Sequence, residues 1–102
     1  MRKASFAAMN CSIAQSLAIV REWWTLLILR DAFLGIRRFD DFVDRLGISR
    51  NILTVRLQTL VDAGILLRRP YDEGRGRHDY LLTDKGRALW PVMTALRQWG
   101  DE

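Results

Sequence analysis

The sequence holds a single cysteine and a single histidine in 102 residues. One thiol closes no disulfide within the chain, and a domain without such staples fits a reducing cytoplasm. Cys11 and His78 lie far apart, and no group of ligating side chains has the spacing of a metal site. A nucleophile elbow, a phosphate-cradling glycine loop at a strand-to-helix junction and a pair of working carboxylates are missing too. Enzymatic chemistry and a cofactor are therefore not expected. Long hydrophobic runs are also lacking. The oiliest stretch, residues 23–29, contains Thr25 and ends at Arg30-Asp31, well short of the roughly 20 apolar residues of a membrane helix. The chain opens with Arg2 and Lys3, but Asn10, Ser12, Gln15 and Ser16 interrupt the apolar residues after them, so no secretory leader is expected. Proline is scarce, and Pro70 and Pro91 are each expected to mark an interruption.

What remains is ample apolar material. Hydrophobic residues make up 49% of the chain, enough for one core over residues 1–102, with residues 1–8 expected to be flexible. No repeat, linker or change of composition divides it. Sixteen basic against 12 acidic side chains leave a net charge of +4, a mild lean towards a polyanionic partner.

Periodicity predicts mostly helix. Ile13, Leu17 and Val20, with Ile19, recur at helical spacing from Ser12. Residues 22–33 carry so little polar surface that they read as a central helix, stopped by Gly35. A short helix over 38–46 places Phe39, Phe42, Val43 and Leu46 on one stripe and breaks at Gly47. Ser49 then offers an N-cap oxygen to a helix with Leu53, Leu57, Leu60 and Val61 on one side, ending at Ala63-Gly64. Two helices joined by a tight glycine turn form a helix-turn-helix pattern. Residues 65–69 and 77–82 read as strands of a hairpin, with 70–76 as its turn. Thr83 caps a last helix whose seam is Leu89, Val92, Met93, Leu96 and Trp99, kinked or broken at Pro91. The fold class is α+β, mostly α: a winged helix-turn-helix.

Two sets of side chains stand out. Opposite the leucines of the fourth helix lie Asn51, Val55 and Gln58, flanked by Thr54 and Thr59, with Arg50 at its start and no acid before Asp62. Such amides, hydroxyls and guanidinium match base edges in the major groove of double-stranded DNA; the plainer reading is a solvated helix face. Around the hairpin lie Arg68, Arg69, Arg75, Arg77 and His78, partly offset by Asp72, Glu73 and Asp79. A basic loop of this kind suits phosphate or minor-groove contact, or is simply a solvated turn. Arg37 and Arg38 are placed for a phosphate contact at the start of the third helix, whereas Arg56 borders the buried side and reads equally as an internal hydrogen-bonding group. The aromatics Trp23, Trp24, Phe33, Phe39 and Phe42 read as core, or alternatively as the wall of an effector pocket.

Trp24-Thr25-Leu26-Leu27-Ile28-Leu29, Arg38-Phe39-Asp40-Asp41-Phe42, Gly47-Ile48-Ser49 with Leu53-Thr54-Val55-Arg56-Leu57, and Ala63-Gly64-Ile65-Leu66 form a series of separate motifs. Tyr80-Leu81-Leu82-Thr83-Asp84-Lys85-Gly86, Leu89-Trp90-Pro91-Val92 and Trp99-Gly100 complete it. In this order they resemble the HxlR family of winged helix regulators, relatives of the MarR-like proteins, over most of the chain. The resemblance implies a DNA-binding homodimer joined through its N- and C-terminal helices, here Ile13, Leu17, Leu89, Val92, Met93, Leu96 and Trp99. It also implies a recognition helix and wing on a pseudo-palindromic operator, carried by Arg37, Arg38, Ser49, Arg50, Asn51, Thr54, Val55, Gln58, Arg75, Arg77 and His78. In some relatives a cysteine placed like Cys11 senses electrophiles or oxidants, and a small-molecule effector is a further expected partner.

Overall fold

Ser49 and Thr83 open two helices by the same device. Ser49 Oγ accepts from the Ile52 N–H at 3.2 Å and Thr83 Oγ1 from the Gly86 N–H at 3.0 Å, each satisfying an amide that a helix start leaves without an intrahelical acceptor. The computed structural model describes residues 11–20 and 22–102, so the expected flexibility of residues 1–8 lies outside the described residues. Its elements in order are α1 (Ser12–Val20), α2 (Trp23–Phe33), α3 (Phe39–Leu46) and α4 (Arg50–Asp62). Then come β1 (Leu66–Asp72), a 3₁₀ turn (Glu73–Arg75), β2 (Arg77–Leu82), α5 (Asp84–Arg87) and α6 (Trp90–Gly100).

The turn between α3 and α4 is closed by Gly47 at φ 65°, whose N–H donates to the Val43 carbonyl. That left-handed conformation strains any side chain with a Cβ, which is why the break falls on glycine. Replacing Ser49 by alanine is expected to lower stability by about 1 kcal/mol, read as a shift in urea midpoint at unchanged slope. A variant as stable as the parent would show that the cap contributes nothing.

Two parts of the chain depart from the sequence expectation. The residues read as turn, 70–76, are strand as far as Asp72, because Pro70 lies in a two-stranded sheet whose outer edge needs no amide donor. The ladder pairs Leu66 with Leu82, Arg68 with Tyr80 and Pro70 with His78, then shifts register before Asp72 meets Arg77. The expected last helix is two pieces. α5 ends at Arg87, and Pro91 occupies the first turn of α6, where its missing N–H has no partner to lose. The break foreseen at Pro91 thus falls just before it.

α2 runs through the middle, packing against α1, α3, α4, α6 and β2. Ile28 and Leu29 from α2 meet Phe42, Ile48, Leu53, Leu57, Leu60, Ile65 and Leu66 in the core. Asp31 is fully buried on the same helix, hydrogen-bonded by Arg30 Nε and by Arg45 Nη2, each at 3.2 Å. The Arg45 bond joins α2 to α3. That bond, and then the carboxylate's charge, raise the Arg45 guanidinium further above its already high ordinary pKa. A raised basic pKa stabilises the fold below it and is lost only as pH climbs through it, so this link is constant across neutral pH. Arg56 is partly buried and its Nη2 lies 3.6 Å from Glu22, an ion pair rather than the internal hydrogen bond read for it, and its buried Nε has no hydrogen-bond partner among the described residues. No helix among the described residues is long and apolar enough to cross a membrane.

Candidate nucleic-acid interface

α4 has one apolar side, Leu53, Leu57 and Leu60, sunk in the core. Its opposite side is therefore held outward by packing rather than by any bond of its own. Asn51, Thr54, Val55, Gln58 and Thr59 are all exposed there. Thr54 Oγ1 donates to the Arg50 carbonyl at 2.8 Å and Thr59 Oγ1 to that of Val55 at 3.0 Å. Gln58 Nε2 donates to Asp62 at 2.8 Å, so the amide is oriented along the helix before any ligand arrives. Ser49 is occupied as the cap, leaving its hydroxyl hydrogen as the group available outward.

Arg50 is the most constrained of the set. Its Nη2 lies 2.7 Å from Asp40 Oδ1 and its guanidinium stacks 4.9 Å from the Phe39 ring centre. Both partners come from α3, so Arg50 is tied across the helix-turn-helix. Because arginine and aspartate are both well exposed, the pair itself contributes little stability; its effect is on where the guanidinium points. A cleft of about 550 Å³ separates this corner from the hairpin, with Arg38, Phe39, Arg50, Tyr71, Arg77 and His78 among its walls. Arg38 lies 4.3 Å over the Tyr71 ring. The structure thus brings Arg38, Arg50, Arg77 and His78 to one surface. Arg75 stands apart at the hairpin tip, exposed and 3.9 Å from Asp72.

Asp79, read from the sequence only as an acid offsetting the wing's charge, is 3% exposed. Arg37, Arg38 and Arg69 surround it, at 3.9, 3.7 and 3.4 Å. Asp31 is likewise a buried acid that sequence reasoning missed. For Asp31 a signal existed, an acid beside Arg30 inside a largely apolar helix; for Asp79 the strand alternation put it opposite Tyr80 and Leu82, which reads as solvent.

The expected dimer seam divides in two. Leu89 and Met93 pack against the core, whereas Val92, Leu96 and Trp99 are exposed, Trp99 at 76%. Ile13 is 72% and Leu17 40% exposed on α1. Five aromatics offered as a pocket wall do not form one. Phe42 is core, Trp24 and Phe39 pack against it, and Trp23 is exposed. Phe33 instead pairs with Trp90 at 5.1 Å between ring centres, beside an apolar cleft of about 520 Å³ between α2 and α6. Cys11 is a free, exposed thiol.

A helix-turn-helix followed by a two-stranded wing and carried on flanking helices defines the winged helix-turn-helix class. Residues 19–102 match the HxlR-like helix-turn-helix family, and the chain belongs to it. An uncharacterised HTH-type transcriptional regulator of Mycobacterium tuberculosis is 48% identical over 91 residues, which are 89% of this chain and 58% of that protein. The chain therefore spans less than two thirds of that relative's length. A crystal structure of a candidate transcription factor, PA1607, is 43% identical with a TM-score of 0.89, covering 96% of this chain and 68% of that one. The redox regulator HypR, in its reduced form, is 26% identical with a TM-score of 0.82, covering 89% and 91%.

Proposed function

We propose that the protein regulates transcription by binding double-stranded DNA sequence-specifically as a homodimer. The observation that carries this is the outward face of α4. Asn51, Thr54, Val55 and Gln58 are exposed together and no acid interrupts them before Asp62. Amide and hydroxyl groups there read base edges, and Val55 provides an apolar contact of the kind a thymine methyl accepts. Arg50 reaches guanine or phosphate, Arg75 and Arg77 lie along backbone or minor groove, and Arg37 and Arg38 add phosphate contacts. The exposed apolar side chains Ile13 and Leu17 on α1 and Val92, Leu96 and Trp99 on α6 favour burial against a second copy. We assign the cleft between α2 and α6 to that partner rather than to an effector. A two-fold dimer sets its recognition helices about 34 Å apart, in successive major grooves of a pseudo-palindrome.

The deciding experiment titrates the protein against DNA upstream of its own gene at several salt concentrations, with a scrambled competitor. Preference of about 10³-fold or more, with a steep salt slope, is expected. Equal weak binding to both DNAs would move the wing and α4 towards binding a protein partner. Arg75→Ala should weaken all DNA alike and reduce the salt slope by about one. Gln58→Ala should leave the slope alone and relax base preference by about 1–3 kcal/mol at one position. Identical profiles for the two variants would remove the distinction between base reader and phosphate contact.

HypR's description as a redox regulator and the exposure of Cys11 favour a second layer, control of DNA binding by thiol oxidation. Peroxide treatment is then expected to change operator affinity in the parent protein and not in Cys11→Ser. Equal responses would eliminate it.

A further inference from the structure

β2 packs one side against α2 and α3 through apolar residues such as Tyr80 and Leu82, yet Asp79 on the same strand is 3% exposed. Ionised and removed from water, it needs compensation from its neighbours. Three guanidiniums surround it, one within hydrogen-bond distance and two at ion-pair distance, while its buried Oδ1 has no hydrogen-bond partner among the described residues. Arg69 Nη2 donates to Asp79 Oδ2 across the ladder at 3.4 Å. Arg37 Nε lies 3.9 Å from the same oxygen and Arg38 Nε 3.7 Å from Oδ1. The cluster thus carries two positive charges more than Asp79 neutralises. All three side chains remain about half exposed, at 54%, 51% and 55%. Each contact to Asp79 uses Nε or a single Nη, which leaves further N–H groups of every guanidinium pointing elsewhere.

The same residues join the wing to the helix-turn-helix. Arg38 and Asp79 form an isolated antiparallel bridge, and the Tyr80 N–H donates to the Arg37 carbonyl at 2.7 Å. The segment entering α3 is therefore stitched to β2 beside the carboxylate.

We propose that Asp79 is a positioning residue for DNA recognition: it fixes the wing to the start of α3 and gathers Arg37, Arg38 and Arg69 into one clasp for backbone phosphate. This rests on the reading of the protein as DNA-binding. It reverses the simple electrostatic expectation, in which an acid near DNA only repels. Phosphate contacts set register and orientation, so a loose clasp still attracts DNA but no longer seats α4 over its bases.

The test uses the full chain, the duplex it selects best from a random pool, and a scrambled duplex of equal length. D79N removes a negative charge and keeps the shape. It is expected to hold the scrambled duplex as tightly as the parent or tighter, and to lose about tenfold or more on the selected duplex. D79E, which restores the charge, is expected to recover much of that discrimination. An unchanged ratio in D79N overturns the assignment, as does a parallel loss on both duplexes tracking a fall in melting temperature. R37Q provides an independent readout, because its side chain is half exposed and Asp79 keeps two partners. The salt slope should fall by about 0.9, and an unchanged slope overturns the clasp. A parent protein that discriminates no duplex overturns the DNA-binding reading itself, and this assignment with it.

Discussion

Gly86→Ala is expected to destabilise the protein by about 3 kcal/mol, the upper end of ordinary overpacking. A Cβ at this position would lie 2.3 Å from the Ile65 carbonyl oxygen and 3.1 Å from Leu82 Cδ2. The oxygen cannot retreat freely, because it accepts from the Thr83 N–H at 3.0 Å. Helix propensity acts in the opposite direction, favouring alanine over glycine by about 1 kcal/mol, so the sign of the result decides between the two. In a domain of this size the predicted loss lowers the melting temperature by about 12–24 °C. The same contact ties α5 to the start of the wing, next to Thr83 Oγ1 on Gly64 and Lys85 Nζ on the Ala63 carbonyl at 3.0 Å. Displacing it disturbs the join between α5 and the start of the wing, so under the proposed function DNA affinity is expected to fall in the folded variant as well. A variant as stable as the parent, or more so, would show that α5 and Ile65 are not in close approach.

The second large effect is at Phe42, which is fully buried among α2, α3 and α4 residues. Phe42→Ala is expected to lose about 3–5 kcal/mol, the transfer of a ring plus the void it leaves. That is a large share of the 5–15 kcal/mol or so that holds a typical domain together. Phe42→Leu, which keeps most of the volume, should lose clearly less. Urea unfolding with the slope held constant is the measurement, and a loss below about 1 kcal/mol in the alanine variant would contradict the packing of α3. Phe39 gives a useful contrast. It only packs against the core and stacks on Arg50, so its removal should disturb recognition more than stability.

The local devices were legible because they act within a few residues. Ser49 and Thr83 cap because their hydroxyls reach amides three positions ahead. Gly47 breaks a helix by its own backbone freedom, and Pro91 forces a start wherever it stands. The leucine spacing of α4 fixed which side faces inward, and with it the candidate base-reading set. The strand through Pro70 was not legible, since whether proline is tolerated depends on which edge of the sheet lacks a neighbour.

Charge and phase divide the rest. Sequence alone determined a winged helix-turn-helix whose α4 carries an outward face free of acids before Asp62, because helix period, caps and turn chemistry are short-range. Tertiary structure decided the fate of its charges. Asp79 is surrounded by arginines from β1 and from the segment before α3, and Asp31 is bound by an arginine of the neighbouring helix. It likewise decided that Leu89 and Met93 turn inward while Val92, Leu96 and Trp99 remain uncovered. The physical reason is that burial and ion pairing depend on distances between elements, and the rotation of one helix about its axis relative to its neighbours is set only when the core closes around α2.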